Sequence, residues 1–138
     1  MRITGTEMPS NVARFERLMY LSLGIGVLVS ALTWTRLVAQ AGRVGGATFV
    51  FWVQAITLAI IVCFIWLVAR RRKNWARWLL LIIGVLGLPG YFRMLAPTLH
   101  FAPIAGILSL TQLVLQVIAT VMIFTGNARD WFAAPART

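Results

Sequence analysis

Apolar residues fill four stretches of this chain, at 18–38, 47–69, 76–96 and 104–125, and polar residues crowd the segments between them. A hydrocarbon core about 30 Å thick is crossed by roughly 20 helical residues at 1.5 Å rise each. All four stretches are that long. The pattern predicts an all-α integral membrane four-helix bundle, built as two antiparallel hairpins and forming one domain over residues 1–138. The loop 40–46 has room only for a turn, and 97–103 is predicted as a second short connection.

Polar punctuation refines these elements. Residues 1–13 form a polar tail, in which Ser10 or Asn11 is expected to cap a helix that starts near Val12 and runs into the first span. In the third span, Pro89 lacks an amide donor and pushes away the carbonyl of Val85, so a bend is expected there. Thr125-Gly126-Asn127 stops the fourth span, and residues 128–132 form a short amphipathic stub expected to lie on the membrane surface. Trp34 marks one end of the first span, and Trp75 and Trp78 mark the start of the third, as aromatic belts do at both interfaces.

Charge then orients the bundle. With the N-terminus in the cytoplasm, ten of the thirteen Lys and Arg fall inside: Arg2, Arg14, Arg17, Arg70, Arg71, Arg72, Lys73, Arg77, Arg129 and Arg137. Only Arg36, Arg43 and Arg93 fall outside. Translocating cations is costly, so this split predicts an N-in/C-in bundle. It also accounts for the net charge of +10 without nucleic acid, which is not expected as a partner. The first span resembles a signal peptide in its flanking charges, but it is longer than a signal h-region and reads as an uncleaved span.

Composition removes several functional classes. All three acids, Glu7, Glu16 and Asp130, lie in the cytoplasmic ends. Ion-coupled transport relies on a membrane-embedded carboxylate, so a coupled pump or antiporter is disfavoured. One cysteine (Cys63, inside the second span) and one histidine (His100) give no set that would hold a metal or form an intramolecular disulfide. No cofactor is expected. No catalytic Ser/His or paired-Asp arrangement can be assembled, and an enzyme is not expected.

Three groups of residues remain as candidates. Ser22, Gly26 and Ser30 recur every four residues, a helix-packing face on which another helix can approach closely. This face serves either internal packing or a homodimer. Arg70, Arg71, Arg72, Lys73 and Arg77 form a tight basic turn, either a topology determinant alone or a contact for anionic headgroups at the cytoplasmic face. Ser30, Gln54, Pro89, Gln112 and Gln116 form a candidate buried polar layer. Gln54 lies about 10 Å and Gln112 about 12 Å below the outer ends of their spans at 1.5 Å per residue, and Gln116 is one turn deeper. A buried amide in lipid needs a partner. The layer is either an interhelix hydrogen-bond clamp, with Gln54 paired to Gln112 and a glutamine on the Val85 carbonyl, or the lining of a pathway. Arg36, Arg43, Arg93 and His100 would ring the mouth of such a pathway with positive charge, or snorkel to lipid phosphates.

Three motifs carry a resemblance: Pro9…Arg17-Leu18…Tyr20-Leu21-Ser22-Leu23, Arg72-Lys73-Asn74-Trp75-Ala76-Arg77, and Phe124-Thr125…Ala128-Arg129-Asp130-Trp131-Phe132. Through them the chain resembles a family of uncharacterised small bacterial four-transmembrane-helix proteins that share the basic-Asn-Trp-Ala-Arg motif. The resemblance implies a multi-pass protein of the bacterial inner membrane and carries no site residues. The expected function is that of an accessory or self-associating membrane component acting through helix and lipid contacts, as a homo-oligomer or within a larger membrane complex. The alternative is a passive pore or carrier for a small, anionic solute.

Overall fold

The computed structural model describes residues 8–133; Arg2, Glu7 and Arg137 lie outside them, as does the start of the polar tail. Six helices follow one another: α1 Ser10–Leu32, α2 Trp34–Gln40, α3 Gly46–Ala69, α4 Asn74–Phe101, α5 Pro103–Phe124 and α6 Asn127–Ala133. Four of them (α1, α3, α4 and α5) are long and apolar enough to cross a membrane, as in a multi-pass membrane protein. They form two antiparallel hairpins arranged as a ring: α1 packs on α3, α3 on α4, α4 on α5, and α5 back on α1. The α5–α1 closure is the most extensive pairing. The start of α1 and the end of α5 meet at one end of the bundle, the terminal end; the turn 41–45 and the α4–α5 joint lie at the other, the far end.

Helix boundaries follow local chemistry, and three of them differ from the sequence pattern. Pro9, with φ −55°, precedes the first residue of α1, and no side chain caps that helix locally. Ser10 and Asn11 instead reach across to the junction of α5 and α6. The Asn11 amide donates to the Thr125 carbonyl at 3.1 Å, while the Asn11 backbone N–H donates to Asn127 Oδ1 at 3.4 Å. The Asn127 amide donates to Ser10 Oγ at 3.1 Å. Backbone groups orphaned at one helix start and one helix end are thus satisfied by side chains from the neighbouring element of the ring. Gly126, at φ 58°, makes the junction possible; a Cβ there would fall 2.7 Å from Asn11 Nδ2.

The second difference is at Thr33, which interrupts the first span between α1 and α2. Its hydroxyl donates to the Val29 carbonyl at 2.8 Å, beside its own backbone N–H on the same acceptor at 3.0 Å. Such back-bonding by threonine bends helices. The third is the expected connection 97–103, most of which is helical. Helix α4 runs through Pro89 and Pro97 to Phe101, and Ala102 alone separates it from α5. Each proline removes one ladder bond, but in lipid a loop would leave many backbone groups unsatisfied, so the helix continues. Pro103 then opens α5 at a position where its missing N–H costs nothing.

The core lies at the terminal end. Phe15, Met19 and Leu23 of α1 meet Ile65 and Val68 of α3, Ala76 of α4, and Ala119 and Ile123 of α5. A smaller cluster of Val12, Ala69 and Ala128 brings in α6, so the stub after the fourth span packs against the bundle. Toward the far end burial falls away. Ala76 is the only buried residue of α4.

Candidate functional site

The stripe Ser22–Gly26–Ser30 organises the far half, and it does so by dividing between two neighbours. Ser22 is fully buried and donates to the Met19 carbonyl at 3.1 Å, while its oxygen accepts from Gln116 Nε2 at 3.5 Å. Gly26 faces Gln112, whose amide nitrogen would sit 2.7 Å from a Cβ at that position. Ser30 turns toward α3 and accepts from Gln54 Nε2 at 2.8 Å. Small residues therefore let α5 close on α1, and one polar pair ties α3 to α1 near the far end. At the neighbouring Gly24, a Cβ would meet no atom within 4 Å.

Nothing comparable draws the middle of α4 inward. Its Gly84, Gly87 and Gly90 face open space. The hairpin with α5 is held at its two ends, by Ala76 and Trp78 against Ala119, Ile123 and Phe124 at the terminal end and by a close approach at its tip. There a Cβ on Gly106 would fall 2.9 Å from the Leu99 Cα. A cleft is left between the α1–α5 pair and the α3–α4 pair. It has two adjoining chambers with Ser30, Gln54, Tyr91 and Ser109 in both walls. The chamber nearer the far end has a volume of about 300 Å³ and a largely apolar wall into which Thr33, Arg36, Gln40 and Thr98 bring polar groups. The larger one, about 580 Å³, is walled by Leu23, Val27, Phe51, Leu58 and Ile61, with Trp34 and Gln112 also in its lining.

The candidate polar layer is distributed unevenly over this cleft. Ser30 and Gln54 line both chambers and Gln112 the larger one. Gln116 lies a turn deeper on Ser22 and lines neither. Pro89 is exposed on α4 and also lines neither. No hydrogen bond joins Gln54 to Gln112, and none joins a glutamine to the Val85 carbonyl, among the described residues. The geometric reason is that Gln54 finds Ser30 closer at hand, while Gln112 packs against the glycine gap in α1. Gln112 is half-buried and without a hydrogen-bond partner among the described residues. The Tyr91 hydroxyl is buried and equally unpartnered.

Sequence reasoning passed over Tyr91 and Ser109. For Tyr91 a signal existed: it lies ten residues inside the end of α4, far from the interfacial belt where tyrosine is ordinary in a span. Ser109 carries no such mark, since its hydroxyl is absorbed by the Ala105 carbonyl at 2.9 Å. At the cleft mouth the Arg36 guanidinium sits 4.0 Å over the Phe101 ring, and His100 stacks on the same ring at 4.9 Å. Cation–π contact fixes Arg36 there without neutralising it.

The basic turn at the terminal end is partly engaged by protein. Arg70 pairs with Glu16 of α1 at 3.1 Å, and Arg71 lies 4.8 Å over the Trp66 ring. Arg72 takes a left-handed φ of 51° that reverses the chain between α3 and α4. Lys73 is exposed. Arg77 is set between Phe124 and Phe132, at 5.0 and 4.8 Å, with Nε and Nη1 buried and unpartnered. Among the described residues no three His, Cys, Asp or Glu side chains converge as a metal site would need. Comparison with protein-family models, with curated proteins and with solved structures returned no match.

Proposed function

We propose that this protein is an accessory component of the bacterial inner membrane, without a reaction of its own, that acts through helix and lipid contacts around the far-end cleft. One observation carries the reading. Side chains from all four spans close the terminal end, where Phe15, Ile65, Val68, Ala76 and Ala119 are fully buried, whereas the far half stays open. A pore needs a continuous polar path, and below the Ser22–Gln116 pair the described side chains that meet at the centre are Phe15, Met19, Ile65, Val68, Ala119 and Ile123. A blind cleft favours holding over passing. The positive-inside rule sets the far end outward. The exposed Lys73 and Arg71 then meet the anionic cytoplasmic leaflet, each contributing about 1 kcal/mol. The outward side of α4, with Leu86 at 74% exposure, is the surface left for a second copy or a partner span.

Proteoliposome flux tests this against the pore reading. Chloride, phosphate and glycerol should leak no faster from vesicles holding the protein than from empty ones. Flux that rises with protein and falls on Gln54→Leu would establish a pathway and overturn the accessory role.

A further inference from the structure

We propose that the far-end cleft is a binding site for a single-chain anionic phospholipid, one acyl chain joined by an ester to a phosphate-bearing head. This deepens the accessory role above and rests on it. Three features follow one another with depth. Arg36 stands at the mouth, the only cation among the described residues that line either chamber, and a guanidinium fork suits a phosphate. Counted along their helices at 1.5 Å per residue, Tyr91 and Gln112 are about 15 and 13 Å below the far ends of α4 and α5. The Tyr91 hydroxyl is buried without a partner, and the Gln112 amide has none among the described residues, so each has a donor to offer a ligand acceptor. An ester carbonyl is an acceptor and brings no second charge. Below them, Leu23, Leu58 and Ile61 give the larger chamber an apolar wall for hydrocarbon.

Size and charge narrow the ligand further. Chambers of about 300 and 580 Å³ fall in the range of ordinary small-molecule pockets, which suits one chain and not the two of a bulk phospholipid. One cation and no acid among the described lining residues favour a head with a single negative charge. The Arg36 guanidinium is already immobilised over Phe101, so little side-chain freedom is lost on binding.

The test uses the whole chain in phosphatidylcholine nanodiscs. Lysophosphatidylglycerol with a brominated acyl chain is titrated while tryptophan emission is read. Trp34 lies in the wall of the larger chamber, so Trp34→Phe supplies the background of the other five tryptophans. Saturable quenching that depends on Trp34 is expected. Arg36→Gln should raise Kd about 10-fold or more, as loss of a charge-assisted bond does. Tyr91→Phe and Gln112→Leu should each raise it about 2- to 10-fold for the ester lipid. Neither should change Kd for the matching ether lipid, which has no carbonyl. Neither side chain has a hydrogen bond to lose among the described residues, and an unchanged Kd for the ether lipid shows that each variant keeps its fold.

Quenching by brominated phosphatidylcholine as strong as by the lysolipid would mean that bulk lipid fills the cleft. That outcome overturns the site while leaving the accessory role, which the flux assay tests separately. Equal Kd values for ester and ether forms in the wild type, or an unchanged Kd in Arg36→Gln, would equally sink it.

Discussion

The two ends of this bundle are built from the same apolar alphabet and pack in opposite ways. At the terminal end, Phe15 and Ile65 are fully buried; in the far half, Val27 is 53% and Phe51 57% exposed. Hydrophobicity does not make the difference, because lipid tails are as apolar as the side chains and supply no force between helices. What differs is how the backbones are held together. The terminal end has the Asn11–Thr125–Asn127–Ser10 exchange and the Arg70–Glu16 pair. The far half has one strong polar pair, Ser30–Gln54, and a close approach of α4 to α5 at Gly106. Where polar ties run out, the helices part and leave a cleft, even beside the glycines of α4.

The sharpest way to break this comparison is to cut one large side chain from each end. Phe15→Ala should cost about 3 kcal/mol or more, since it leaves a void among side chains of three other spans. Val27→Ala, at a wall already exposed to the cleft or to lipid, should cost well under about 1 kcal/mol. Reversible unfolding in mixed micelles measures both. Equal losses would mean that the far half is as tightly packed as the terminal end, and the cleft would not survive that result.

The four spans and their hairpins were legible in the sequence because chain length and bilayer thickness share one scale. The partnerships between spans were only half legible. Spacing identified Ser22, Gly26 and Ser30 as a packing face, yet it could not show that the face splits, with Gln116 and Gln112 on one side and Gln54 on the other. Depth along each helix was countable and placed Gln54 and Gln112 at one level. Rotation about each axis was not, and rotation decides that Gln54 meets Ser30. Pro89 failed to join the layer for the same reason: it is at the right depth but on the exposed side of α4. The reach of Asn11 to Thr125, across 114 residues, left no local trace at all.

A middle-sized effect should separate Gly26 from Gly24 and sharpen the account of the α1–α5 seam. A leucine at Gly26 must displace the Gln112 side chain and crowd the α1–α5 seam, an overpacking that costs about 1–3 kcal/mol. A leucine at Gly24 enters open space and replaces a poor helix former, a gain of up to about 1 kcal/mol. The two substitutions should therefore shift stability in opposite directions in the same micelle assay. Cross-linking in the same samples should show the monomer losing its fold at Gly26→Leu, because the seam lies within one chain. Loss of a dimer band alone would reassign the stripe to an interface between copies.

The smallest predicted effect concerns the polar pair that bounds the cleft. Gln54 Nε2 donates to Ser30 Oγ at 2.8 Å, and no such bond joins Gln54 to Gln112. Interhelix hydrogen bonds in membranes average about 0.6 kcal/mol, because separated helices find other polar partners too. A double-mutant cycle of Ser30→Ala with Gln54→Leu should thus give a coupling near about 0.6 kcal/mol. The cycle of Gln54→Leu with Gln112→Leu should be additive to within about 0.3–0.5 kcal/mol, even though both residues line the larger chamber. Lysolipid sharpens the contrast: once a ligand bridges the chamber, Gln112 should gain coupling to the ligand and still none to Gln54. Strong coupling between the two glutamines in the empty protein would mean that the far half closes on itself in the membrane, with the amide layer acting as a clamp in place of a site.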